Sequence, residues 1–125
     1  MQVLVDSSVW IDYFKSGQHS QQLDVLIQEN LVVTNEIILS ELIPFLRLKN
    51  QRKVTGMLEK ILRLHLDIDW KEIREYQFRC IKRGINGVGI PDLIIAQNAI
   101  QHICPIYSLE SHFEDIYEIL DFDLF

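Results

Sequence analysis

The chain has 125 residues, is 48% hydrophobic and carries a formal net charge of −6. Those values fit a single domain over residues 1–125 and exclude a protein that wraps nucleic acid in a broadly basic groove. Its apolar runs are far too short to span a bilayer, and no basic region with a long apolar core opens the chain, so the expectation is a cytoplasmic, non-membrane protein with Cys80 and Cys104 as reduced thiols.

Val3 to Val5 reads as a short buried strand that ends at Asp6. Ser7 or Ser8 can cap a helix to about Lys15, and Gly17 stops it. A helix is predicted over 20–29, and "LVVT" (31–34) is a second strand. Thr34 or Asn35 caps a helix from Glu36 to Leu48, with Pro44 placed to kink it. Val54, Met57, Leu58, Ile61 and Leu62 form a helical stripe over 51–63. "LHLDI" (64–68) predicts a third strand. Asp69 and Glu72 then resemble a capping box that opens a helix to about Arg83, with Gly84 as its stop. "NGVG" (86–89) is a loop, and Pro91 suits the start of a helix to about Ile103. "PIYS" (105–108) is a fourth strand, Ser111 and Glu114 suggest a capping box over a short helix, and "YEIL" (117–120) suggests a fifth strand. Short apolar strands alternating with helices indicate an α/β fold with a mainly parallel sheet. Such sheets bind ligands beyond the carboxyl ends of their strands, where Asp6 and Glu110 both stand.

Most of the acids have plain roles as caps, tail residues or first-turn residues. Asp92 differs. It heads the apolar face Ile95, Ala96, Ala99 and Ile103, opposite a polar stripe of Gln97, Asn98, Gln101 and His102. Glu41 differs too, flanked at helical spacing by Ile37, Ile38, Pro44 and Phe45, so it is expected to point inward. A buried unpaired carboxylate is costly. Each of Asp6, Glu41 and Asp92 alone can be satisfied by a cation, a cap or a turn. A hard divalent cation held by oxygen ligands accounts for all three at once.

The same residues carry a family resemblance. "VLVDSSVWIDYF", "ILSELI", "VGIPDLIIAQNA" and "YSLESHF" resemble, in order, the four acidic motifs of PIN-domain ribonucleases of the VapC toxin type. The resemblance covers essentially the whole chain. It places Asp6, Glu41, Asp92 and Glu110 as the metal-binding and catalytic acids. Ser7 and Ser108 stand where threonine is frequent, and Glu110 replaces the usual aspartate, which shifts that carboxylate by about 1.5 Å. What the resemblance implies is a three-layer α/β/α fold around a five-stranded sheet. It further implies Mg²⁺- or Mn²⁺-dependent cleavage of RNA, a homodimer, and silencing by a VapB-like antitoxin.

Four carboxylates repel a phosphodiester, so such a site needs a bound cation before it can take RNA. Ser7 or Ser8 either orients a ligand or caps the first helix. Setting the four acids aside leaves 14 acids against 12 Lys and Arg, a balance of −2 that leaves room for a local basic rim. Lys82 and Arg83, ahead of the "GINGVG" loop, are candidates, as is the run Arg47, Lys49, Arg52 and Lys53, although such residues are more often simply a solvated helix face. Trp10, Tyr13 and Phe14 suit core or dimer packing better than base stacking. Leu39, Leu42, Ile43 and Leu46 make a second apolar face, for a partner or for neighbouring helices. No histidine has a metal-type spacing partner, and His112 is assigned to support of the short helix. A receiver domain, a haloacid-dehalogenase phosphatase and a dinucleotide fold each lack a required residue here. The remaining rival is a catalytically inactive PIN-like binding or assembly module.

Overall fold

Val3–Val5 (β1) is fully buried along its length. The reason is pairing on both edges. Val32–Val33 (β2) lies parallel to it with Val3 opposite Val32, and Ile106–Tyr107 (β3) lies parallel on the other side with Leu4 opposite Ile106. The sheet order is β2–β1–β3. A central parallel strand covered on both faces reads as a continuous apolar run, hence Val-Leu-Val. The computed structural model describes residues 1–125.

Helices are Ser7–Lys15 (α1), Gln22–Gln28 (α2), Glu36–Leu48 (α3), Arg52–Leu58 (α4), Trp70–Lys82 (α5), Ile90–His102 (α6) and Ser111–Leu120 (α7). Adjacent strand residues face opposite ways, and this divides the core in two. Leu4, Val33 and Ile106 join the core of α5, α6 and α7. Val3, Val5, Val32 and Tyr107 join that of α1, α2, α3 and α4. The result is helix, sheet and helix layers, as expected. Leu39, Leu42 and Leu46 are buried in the second core, so that face of α3 packs beneath neighbouring helices rather than awaiting a partner. Trp10 is fully buried and stacks on Phe14 at 5.8 Å, which settles the aromatic side of α1 as packing.

The sheet has three strands, not five, and the cause is visible at both edges. Pairing next to β2 begins, since Thr34 N donates to Leu62 O at 3.0 Å and Leu64 N to Thr34 O at 2.8 Å. It then stops after one bridge, Thr34 to Arg63. The expected strand 64–68 is held by side chains instead. Asn98 Nδ2 donates to His65 O at 2.9 Å, Gln101 Nε2 to Asp67 O at 2.8 Å, and Gln97 Nε2 to Asp69 O at 3.2 Å. Three amides of α6 thus occupy alternate carbonyls of an extended segment, and it cannot offer them to a ladder. The stripe expected to be an outer polar face of α6 is therefore partly interior: Gln97 and Asn98 are each 1% exposed.

At the other edge, residues 117–120 are the last turn of α7, whose Phe113, Ile116 and Leu120 repeat at helical spacing and are buried. The edge contact comes later. Ile106 N donates to Asp123 O at 2.9 Å and Phe125 N to Ile106 O at 2.9 Å, making a single bridge to Leu124.

The helix boundaries follow local chemistry, with exceptions. Asn35 caps α3 by accepting from Ile38 N at 2.9 Å, and Pro44 is accommodated within α3. Asp69 caps α5 by accepting from Glu72 N, but Glu72 turns to Gln97 Nε2 at 2.8 Å rather than back to the cap. No serine side chain caps α1 or α7; their cap residues are Asp6 and Glu110. α4 ends at Leu58, short of the expected 63.

Replacing Asn98 by leucine strips the partners from Asn35 Nδ2 and His65 O while keeping the heavy-atom count and branching of the side chain. Buried groups left unpaired cost about 1–3 kcal/mol each. The expected outcome is a loss of about 2–4 kcal/mol in urea unfolding, with helical circular dichroism unchanged before the transition.

Candidate active site

β1 ends at Asp6, and Asp6 N donates to Tyr107 O at 2.9 Å, so the carboxyl end of β1 is tied to that of β3. The Asp6 side chain is 4% exposed in residue terms and has no Lys or Arg partner. Two hydroxyls stabilise it: Ser8 Oγ donates to Oδ2 at 2.8 Å and Ser108 Oγ to the same oxygen at 2.9 Å. Each hydroxyl also accepts a backbone proton, Ser8 from Leu109 N and Ser108 from Glu110 N, both at 3.0 Å. Both serines therefore fasten the turn carrying Glu110 onto Asp6. Ser8 positions Asp6, and the capping reading of the serines falls away.

Asp92 lies in the first turn of α6. Its Oδ2 accepts from Gly89 N at 3.2 Å and stands 3.2 Å from His112 Nδ1 on α7. Its side chain is 21% exposed, so it heads the buried face without being sealed in. The loop before it bends at Gly87, whose φ of +88° suits glycine.

Glu41 departs from expectation. It is an exposed residue on α3, not one turned into the core. Its carboxyl nonetheless borders the other acids. Burial against the cavity wall pushes its pKa above the ordinary 4.5, and the charges of Asp6, Asp92 and Glu110 push it the same way. Glu110, exposed at the start of α7, completes the group.

These side chains share a cavity of about 290 Å³, lined by Asp6, Ser7, Glu41, Gly87, Gly89, Pro91, Asp92, Glu110 and His112. No Lys or Arg lines it, and none pairs with any of the four acids. All four predicted site residues are thus brought to one place. His112, assigned above only to helix support, is a wall residue against Asp92; "SHF" in the fourth motif was the signal for it. Ser108 was read only as a substituted hydroxyl, and its hold on Asp6 is a second addition.

As placed, no three His, Cys, Asp or Glu side chains stand close enough to enclose a metal ion. The donor chemistry nevertheless fits a hard divalent cation. The donors are carboxylate oxygens, they lack basic counter-charges, and two of the four are on exposed, rotatable glutamates.

A three-layer α/β domain with an acid-lined cavity at the carboxyl ends of its parallel strands defines the class. The chain belongs to the PIN-domain family, whose model matches residues 3–119 and whose members are generally nucleases. It is similar in fold to a chain in the crystal structure of VapBC2 from Rickettsia felis bound to a DNA fragment from their promoter. The TM-score is 0.77 at 18% identity, covering 100% of this chain and 98% of that one. It is similar also to a chain of FitAcB from Neisseria gonorrhoeae, with TM-score 0.71, 21% identity and coverage of 99% and 96%. No match was found among the curated proteins.

The raised Glu41 pKa has a thermal consequence. The folded state holds this proton more tightly than the unfolded chain, so stability falls as pH rises from about 4.5 through the folded pKa. Glu41→Gln removes that cost. In EDTA at neutral pH the variant is expected to melt above the parent, and the difference should shrink as pH falls below 4.5. A gap that stays constant across a pH series of melting curves would contradict it.

Proposed function

We propose that the chain is a Mg²⁺- or Mn²⁺-dependent endoribonuclease that hydrolyses RNA phosphodiester bonds, and the toxin of a toxin–antitoxin pair. One observation carries the reading: four carboxylates from four separate segments meet in one cavity with no Lys or Arg to neutralise them. A fold has little reason to accept that repulsion unless a cation offsets it. Membership of the PIN-domain family supports nuclease chemistry. Fold similarity to chains of VapBC2 and FitAcB supports a VapB-like antitoxin as partner; a homodimeric, cytoplasmic state belongs to the same proposal and follows from the motif resemblance alone. No helix is long and apolar enough to cross a membrane.

In this mechanism Asp6, Glu41 and Asp92 would hold the ion, and Glu110 would complete the set directly or through water. When bound, the ion makes the cavity attractive to phosphate, polarises the phosphoryl oxygen and lowers the pKa of water. Ser8 and Ser108 occupy Asp6 Oδ2 and leave Oδ1 without a protein partner. Gly89 N and His112 fix Asp92 in the same manner. Ser7 lines the cavity and makes no side-chain hydrogen bond within the protein, so its hydroxyl is available to the scissile phosphate. One of the four acids accepts the proton of the attacking water.

The test is cleavage of mixed cellular RNA by antitoxin-free protein with Mn²⁺, with Mg²⁺ and with EDTA. Discrete products are expected with either metal and none with EDTA. Asp6→Asn and Asp92→Asn should each lower the rate by about a hundredfold or more. Calorimetry should show Mn²⁺ binding to the parent and weakened binding to both variants. Undiminished cleavage by either variant would sink the assignment. Absence of both cleavage and Mn²⁺ binding would favour an inactive assembly module.

A further inference from the structure

An acidic cavity can hold a metal, but it gives an RNA strand nothing to grip on either side of the scissile bond. The rest of this acidic molecule is uneven, and one face of α5 joins cations to exposed rings. At 100° per residue, Trp70, Ile81, Arg74, Phe78, Lys71 and Lys82 fall within about 120° of the helix. Every one of them is exposed, with Trp70 at 54% and Phe78 at 58%. No acid lies in that arc. Glu72 is turned away to Gln97, and Glu75 pairs with Arg79 on the flank at 3.3 Å. Lys71, Arg74 and Lys82 make no ion pair or hydrogen bond within the protein. The other basic run, at the α3–α4 corner, has exposed cations but no exposed aromatic ring; its one prominent apolar residue is Leu48.

The C-terminal end of the stripe is also joined to the cavity by a short loop. Arg83 follows Lys82, Gly84 turns the chain at a φ of +74°, and the loop then reaches Gly87 and Gly89 on the wall of the acid cavity. From Arg83 to Gly87 the chain spans at most about 14 Å. The helix segment from Trp70 to Lys82 is about 18 Å long, the length of roughly five stacked nucleotides. Unpaired cations for phosphates, interleaved with exposed rings for bases, are what a single strand requires of its binding surface.

Resting on the ribonuclease reading above, we propose that this face of α5 is the docking surface for a single-stranded segment of the RNA substrate. Bases stack on Trp70 and Phe78, phosphates pair with Lys71, Arg74 and Lys82, and the strand runs from the C-terminal end of α5 over the glycine loop into the acid cavity.

The experiment uses the full chain carrying Asp92→Asn, in EDTA, so that binding is read without cleavage. The probe is a fluorescent twelve-nucleotide oligouridylate, followed by anisotropy over a salt series. Combined Lys71→Gln, Arg74→Gln and Lys82→Gln should weaken binding by about tenfold or more and make the salt slope shallower by about 2, at roughly 0.7 per phosphate contact. Phe78→Ser should weaken binding by about tenfold with the salt slope unchanged. The control removes three cations elsewhere, Lys49→Gln, Arg52→Gln and Lys53→Gln, and should leave both quantities near the parent's. Equal weakening in the control would reduce the effect to net charge and overturn the proposal. So would unchanged RNA affinity in the α5 variants, above all if Phe78→Ser converted a dimer to a monomer in sedimentation, since the face would then be a protein contact. The two readings fail separately. A parent that cleaves RNA as well with the α5 changes as without them loses the docking surface and keeps the nuclease. A parent that neither cleaves nor binds RNA loses both.

Discussion

Two buried asparagines hold this molecule in register. Asn35 Nδ2 donates to Asn98 Oδ1 at 2.9 Å, Asn35 Oδ1 accepts from the first turn of α3, and Asn98 Nδ2 holds His65 O. Both residues are at most 1% exposed. A buried amide pair is costly unless all its groups are matched, so it tolerates little sliding. It fixes the start of α3 against the middle of α6 and lays residues 65–69 along α6. Those two helices carry Glu41 and Asp92. Their relative placement is therefore set by hydrogen-bond geometry in the core rather than by the cavity they line, where the charges repel.

That repulsion is managed unevenly. Asp6 and Asp92 are held, the first by two hydroxyls and the second by a backbone amide and an imidazole. Glu41 and Glu110 are exposed and have no such restraint. Two fixed acids and two free ones make a site that is open as it stands, with two glutamates free to rotate. This division accounts for four acids sharing a cavity while no three of them form a ready-made chelate. The cost falls on Glu41, whose carboxyl is held above its ordinary pKa by burial and by the charges of Asp6, Asp92 and Glu110.

Much of the fold was legible because it is written in local chemistry. Asn35 and Asp69 before their helices, Pro91 at the head of α6 and Gly17 after α1 each mark a boundary through a backbone requirement that one residue satisfies. β1, β2 and β3 were legible as apolar runs too short for helices. The outer strands were not, because their fate depends on partners distant in sequence. "LHLDI" has the alternation of a strand, and in three dimensions it is extended, but α6 amides take the carbonyls a ladder would use. Those same amides looked like a solvent face when α6 was considered alone. The four acids were legible from their motifs. The inward orientation assigned to Glu41 was not, since helical neighbours say which side is apolar but not where that side meets an open cavity. His112 was missed because its partner, Asp92, lies on another helix.

Glu110 shows how a substitution is read once its backbone is known. Ser108 Oγ accepts from Glu110 N, and α7 begins at the next residue, so the main chain here has no freedom to retreat. An aspartate at this position would stop about one bond short of where the glutamate carboxylate reaches. The extra methylene is absorbed by the side chain alone, which is exposed and unpaired. The fastened backbone keeps the acid at the cavity, while the longer arm gives the carboxylate more reach across its opening. The change from aspartate to glutamate thus alters reach and flexibility without altering the charge that the cavity presents.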